Sequence, residues 1–99
     1  MARVLLDLNT PRFLDDWFGL EKPQALAVLA TLRKLHGLTW PQLYSDKGLK
    51  WELVHSKTGV HRRRLYSMRI TKRMRALALG EGDYLCLVSL HPEHDSAYQ

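Results

Sequence analysis

From Lys57 to Arg75 every ionised side chain is basic: Lys57, Arg62, Arg63, Arg64, Arg69, Lys72, Arg73 and Arg75, with His61 beside them and no Asp or Glu between. Guanidinium groups bind phosphate oxygens bidentately and stay charged at any relevant pH, so such a run suits a polyanionic partner. By charge alone it fits equally well a solvated basic face that keeps the chain soluble. Further on, His91 and His94 titrate closest to neutrality and suit general acid or base work, with Glu52 as an alternative base. The same histidines also fit an exposed tail, or a local cap made by His94 and Asp95. Tyr98 suits stacking on a nucleobase, or docking the C-terminus onto the core. His91-x-x-His94-Asp95 falls short of a metal site, because zinc ligands so spaced normally need a helical turn or a third ligand elsewhere. No metal or other cofactor is expected.

The whole chain has 99 residues, which suits one domain spanning 1–99 and leaves no room for a second independent core. Apolar and charged fractions of 45% and 25% are those of globular proteins and argue against global disorder. The net charge of +5 is modest, so its clustering says more than its size. Cys86 is the sole cysteine and lies in an apolar run, which excludes a disulfide framework and fits a reducing, cytoplasmic home. No apolar stretch approaches the ~18 to 20 residues that span a bilayer, and Asp7 comes too early for a secretory signal. A soluble, unprocessed protein with no membrane partner is expected.

The elements that must hold these side chains divide into a helical half and a strand half, without internal repeats. Arg3 to Leu8 suits a short opening strand, and Asn9-Thr10-Pro11 starts a helix that runs to about Phe18 and stops at Gly19. Glu21-Lys22-Pro23 opens a longer helix in which Leu26, Leu29, Ala30, Leu32 and Leu35 share a face before Gly37. Thr39-Trp40-Pro41-Gln42 caps one more short turn, with Trp40 and Leu43 packing back as core anchors until Asp46-Lys47-Gly48 breaks it. Strands are then expected over Lys50 to His55, Leu65 to Thr71, Arg73 to Leu79 and Tyr84 to Leu90. Alternation puts Tyr66, Met68 and Ile70 on the helix side and Ser67, Arg69 and Thr71 on a wet face. Ser56 to Arg64, with Gly59 and no apolar pattern, reads as a mobile basic loop.

A helical hairpin followed by a twisted antiparallel sheet is the element order of the RelE/ParE superfamily. Leu65-Tyr66-Ser67-Met68-Arg69-Ile70-Thr71-Lys72-Arg73-Met74-Arg75-Ala76-Leu77 resembles that family's "Y-x-x-(K/R)-(I/L)…R-(L/A)" strand pair. The ending from Leu90 to Tyr98 is similar to its last-strand exit. The resemblance implies an α+β fold, with an N-terminal helical hairpin packed on a four- to five-stranded antiparallel sheet. It also implies a toxin of a type II toxin-antitoxin system, RelE/YoeB-like, that cleaves mRNA on translating ribosomes without a metal and is held inactive by a cognate antitoxin protein. On that alignment Arg69 and Arg75 clamp phosphate. His91, His94 and Tyr98 occupy the catalytic exit strand, and Arg62, Arg63, Arg64, Lys72 and Arg73 are left to hold RNA. The chain departs from RelE itself at Ser67 and around Pro92, where RelE carries extra lysines and an arginine, while its histidines are similar to those of RelE relatives such as YoeB. Two alternatives therefore stand: a ParE-like inhibitor of DNA gyrase that cleaves nothing, and a degenerate relative that keeps only the fold.

Overall fold

Prolines and glycines punctuate the helical half, and the structure, a computed structural model, describes residues 2–58 and 64–93. Strand β1 spans Leu5–Asp7, shorter than the expected Arg3 to Leu8. Helix α1 covers Pro11–Phe18, where proline fills the first turn at no hydrogen-bonding cost and Gly19 ends the helix. Helix α2 covers Lys22–His36, again with proline in its first turn, and Arg33, Lys34 and His36 in its last turn complement the negative end of the helix dipole. Helix α3 covers Trp40–Ser45. A reciprocal cap opens it: Thr39 Oγ1 accepts from the Gln42 N–H at 3.4 Å, and Gln42 Oε1 accepts from the Thr39 N–H at 2.9 Å.

Four more strands follow: β2 at Glu52–Thr58, β3 at Arg64–Arg69, β4 at Arg75–Glu81 and β5 at Tyr84–His91. Strand pairing thus runs three residues past His55, and β3 begins at Arg64, inside the stretch expected to be loop. The five strands form one sheet in the order β1-β5-β4-β3-β2. It is antiparallel except at one edge, where β1 runs parallel to β5 with Leu5 opposite Tyr84 and Asp7 opposite Cys86. Past Cys86 the outer edge of β5 has no strand beside it among the described residues, and a buried N–H there needs another acceptor. Asp16 on α1 supplies one, its Oδ2 accepting from the Leu90 N–H at 3.0 Å, which fastens α1 to the end of β5.

One face of the sheet carries the helices. Phe13, Leu35, Leu43, Met68, Leu85 and Leu87 are fully buried there. On α2 the buried residues are Val28, Thr31, Leu32 and Leu35, whereas Leu26 and Leu29 are 52% and 41% exposed. The expected face was therefore rotated. Ala25 to Ala30 is an unbroken apolar run, so spacing alone cannot choose which side of that turn meets the sheet. The opposite face is not wholly wet either: Val54, Leu65, Leu77, Leu79 and Cys86 form a second, smaller cluster. Among the described residues no helix is long and apolar enough to cross a membrane.

Asp46 clasps the end of α3 to α2 and to the chain entering β2. Its carboxylate accepts from Lys34 Nζ at 3.1 Å and from the Leu49 N–H at 3.0 Å. The hydrogen-bonded Lys34 ammonium holds this carboxyl below the usual carboxylate range, against a smaller opposing effect of burial. A folded-state pKa below the unfolded one gives stability that is complete above the unfolded value and fades as pH falls through the folded one. Asp46→Asn is expected to cost about 1 kcal/mol at neutral pH, with the difference from the parent closing in acid below about pH 4. Urea midpoints measured at pH 7 and pH 3 check this; an equal gap at both would remove the ionic part of the clasp.

Candidate functional site

The face away from the helices carries a row of basic side chains built by strand register. Arg69 on β3 stands opposite Arg75 on β4, and Arg75 opposite His91 on β5. Directly opposed residues keep their Cβ atoms within about 5 Å, so the three side chains lie side by side on neighbouring strands. His91 reaches this row through a bulge. Leu77 pairs with Ser89 and Ala78 with Leu87, so β5 fits two residues, Leu87 and Val88, where β4 has one. Leu85, Leu87 and Leu90 accordingly belong to the helix-side core, while Val88 packs with the opposite cluster. Ser89 and His91 share that opposite face and bond to each other, Oγ to Nε2 at 2.9 Å.

Burial separates the members of the row. Arg69 is half-buried, and its backbone N–H donates to the Leu49 carbonyl at 2.7 Å, fixing the end of β3. Arg75 is only 8% exposed. Its Nη1 donates to the carbonyls of Thr71 at 2.9 Å and of Lys72 and Met74 at 3.3 Å each, so this guanidinium closes the turn between β3 and β4. The same turn is tightened by the Thr71 hydroxyl, which accepts from the Met74 N–H at 3.1 Å. A cation held on three carbonyls has a fixed position and keeps Nε–H and Nη2–H as further donors. His91 is 7% exposed, and Ser67 and Ser89 are 1% exposed in the next rung.

Other residues singled out in the sequence are arranged around this row or away from it. Glu52 is exposed on the edge strand β2, opposite Ser67 and so one rung from Arg69. Lys72 and Arg73 are exposed in the β3–β4 turn, where Arg73 Nη2 pairs with Glu93 Oε2 at 3.0 Å. Arg64 lies at the far end of β3 from Arg69, on the rim of a different cavity. Arg62, Arg63, His94 and Tyr98 lie outside the described residues. Ser89 was missed in the sequence. Its signal was faint: a serine two residues before a histidine on a strand shares its face, provided both are read together.

No protein-family model matches the sequence, and no curated protein matches it. Two solved structures from Helicobacter pylori are similar to the chain. One is a copper-bound mutant toxin, 21% identical, with 97% of this chain and 98% of the other covered at a TM-score of 0.48. The other is the solution structure of the conserved hypothetical protein HP0894, 22% identical, covering 94% of this chain and 98% of the other at a TM-score of 0.54. With HP0894 the chain shares its fold: N-terminal helices packed on a five-stranded, mostly antiparallel sheet.

Proposed function

We propose that the chain is the toxin of a type II toxin-antitoxin system and cleaves mRNA on translating ribosomes without a metal. The observation that carries this reading is the row Arg69, Arg75 and His91, with Ser89 bonded to the histidine. Cleavage by this route forms a bond from the ribose 2′-oxygen to the adjacent phosphorus and breaks the bond from phosphorus to the 5′-oxygen. A base takes the 2′-hydroxyl proton, an acid gives one to the leaving 5′-oxygen, and cations stabilise the charge that builds on phosphorus. Arg69 is the accessible guanidinium for the phosphate oxygens. Arg75, held on the turn carbonyls, adds a fixed positive charge behind it. His91 moves a proton at Nε2, with Ser89 positioning the ring. Glu52, exposed one rung away, and His94 complete the set of proton-transfer groups, and Tyr98 stacks a base. Arg62, Arg63, Lys72 and Arg73 hold flanking RNA. An antitoxin that masks this face keeps the toxin silent.

Induced expression in a bacterium without the antitoxin is expected to arrest growth by stopping translation, with new 5′ ends appearing in mRNA protected by ribosomes. Continued protein synthesis with accumulating DNA breaks would replace this reading with gyrase inhibition. Growth at the parental rate would leave the fold without the activity.

A further inference from the structure

At the other end of the sheet, on the helix side, four mutually packed aromatic rings line an open cavity of about 570 Å³, within the range of small-molecule sites. Trp40 and Tyr44 come from α3, Trp51 from the chain entering β2, and Tyr66 from β3. Trp51 stacks on Tyr66, with centroids 4.7 Å apart and planes 14° from parallel. Trp40 meets Trp51 edge-on at 76° and Tyr44 at 41°, with centroids 6.1 and 5.8 Å apart, so the rings touch one another and a base can lie only on a ring face turned to the cavity. One wall is glycine. A Cβ added at Gly80 would lie 3.9 Å from Trp40 Cη2, in ordinary contact with that ring, whereas one at Gly82 would meet nothing within 4 Å, so the backbone is approachable at Gly82. Arg64 and Asp83 bring one charge of each sign to the lining.

Two features set this cluster apart from ordinary core packing. Tyr44 is 63% exposed, so one ring of the box stands largely in solvent. Trp51 Nε1, a donor shut off from solvent, has no acceptor among the described residues, whereas Trp40 Nε1 donates to the Asp83 carbonyl at 3.1 Å. An unsatisfied buried donor is rare and costly in a folded protein.

We propose that this box binds a nucleobase, with the attached phosphate resting on Arg64. Stacking between aromatic rings accepts any base, because every base has a π-face. The guanidinium selects a phosphorylated ligand over a bare aromatic one. Asp83, next to Gly82 in the lining, offers a carboxylate to the amino group of a base. The site lies beyond the arginine row along β3 and on the opposite face, so it does not depend on the cleavage reading. The same chemistry serves a free mononucleotide or one nucleotide of an RNA strand.

Tryptophan emission of the whole chain reads the site because two of its three tryptophans, Trp40 and Trp51, line the cavity, while Trp17 lies on α1. Adenosine and guanosine monophosphates are expected to quench it saturably, as is a 2′-O-methylated hexanucleotide, which has no 2′-hydroxyl to attack. Tyr44→Ala should weaken this by at least about fivefold, the low end for losing one stacked ring, and Arg64→Ala by at least a similar factor through loss of a charge-assisted bond to phosphate. A hexanucleotide that binds far more tightly than the monophosphates assigns the box to an RNA strand; equal affinities assign it to free nucleotides. No saturable quenching by any of them would overturn the proposal. So would quenching that both variants leave unchanged, or saturation by tetramethylammonium in place of nucleotides. An active ribonuclease without nucleotide quenching would sink the box alone, and quenching without ribonuclease activity would sink the cleavage reading alone.

Discussion

Arg69→Ala is expected to slow mRNA cleavage on ribosomes by about 10²- to 10³-fold, the usual loss when a donor to a developing negative charge is removed. The side chain is half-buried at the end of β3, and its structural bond is made by the backbone N–H, which alanine retains. Its removal should therefore shift stability by only about 0.5 kcal/mol. Rate loss at an unchanged melting temperature would place the effect in the site. The salt dependence of RNA affinity should also flatten, because one phosphate contact and its released counterion are gone. His91→Ala should cost a similar factor in rate but leave that salt slope as it was. Because His91 is buried, Ser89→Ala is the gentler check: it should displace the pH-rate profile, which loss of packing alone would not do. If Arg69→Ala cuts at the parental rate, the phosphate clamp must be sought elsewhere.

Phe13→Ala is expected to cost about 3 to 5 kcal/mol, a large share of the whole stability of a small domain. The ring is fully buried on α1 against the sheet and lies 5.9 Å from Trp17, centroid to centroid. Alanine would leave a cavity that α1 cannot collapse into, because Asp16 fastens the helix to β5 three residues further on. In a domain of this length such a loss should lower the melting temperature by on the order of 15 °C or more. Phe18→Ala, at a ring 74% exposed, should move it by no more than a few degrees. Comparable shifts for the two variants, followed by circular dichroism on heating, would contradict this account of the core.

The helical boundaries were legible because they rest on local chemistry. Pro11, Gly19, Pro23, Gly37 and the Thr39–Gln42 pair stop or start helices whatever surrounds them. The buried side of α2 was not legible, since the run from Ala25 to Ala30 presents apolar groups all round and only the sheet decides which are covered. Along β3, alternation placed Met68 and Arg69 on opposite faces. It did not foresee Ser67 at 1% exposure, because the burial comes from other strands. Arg69 and Arg75 were legible as a pair across a short turn. That Arg75 would turn back onto the carbonyls of Thr71, Lys72 and Met74 was not, since those acceptors exist only once the turn has formed. On β5, unbroken alternation from Leu85 would have sent Ser89 and His91 toward the helices. The pairing of Leu77 with Ser89 sends them the other way.

That doubled position on β5 also governs how the strand tolerates changes in length. A residue lost from a regular strand carries everything beyond it to the other side of the sheet. Val88 is the surplus residue of its pair, so a relative lacking it would keep Leu90 over the core and His91 beside Arg75. It would lose only the local bend and added twist. Insertions or deletions elsewhere in β5 would scramble inside and outside. A one-residue gap in an alignment of this strand is therefore best placed at Val88, where divergence in length costs no change of face.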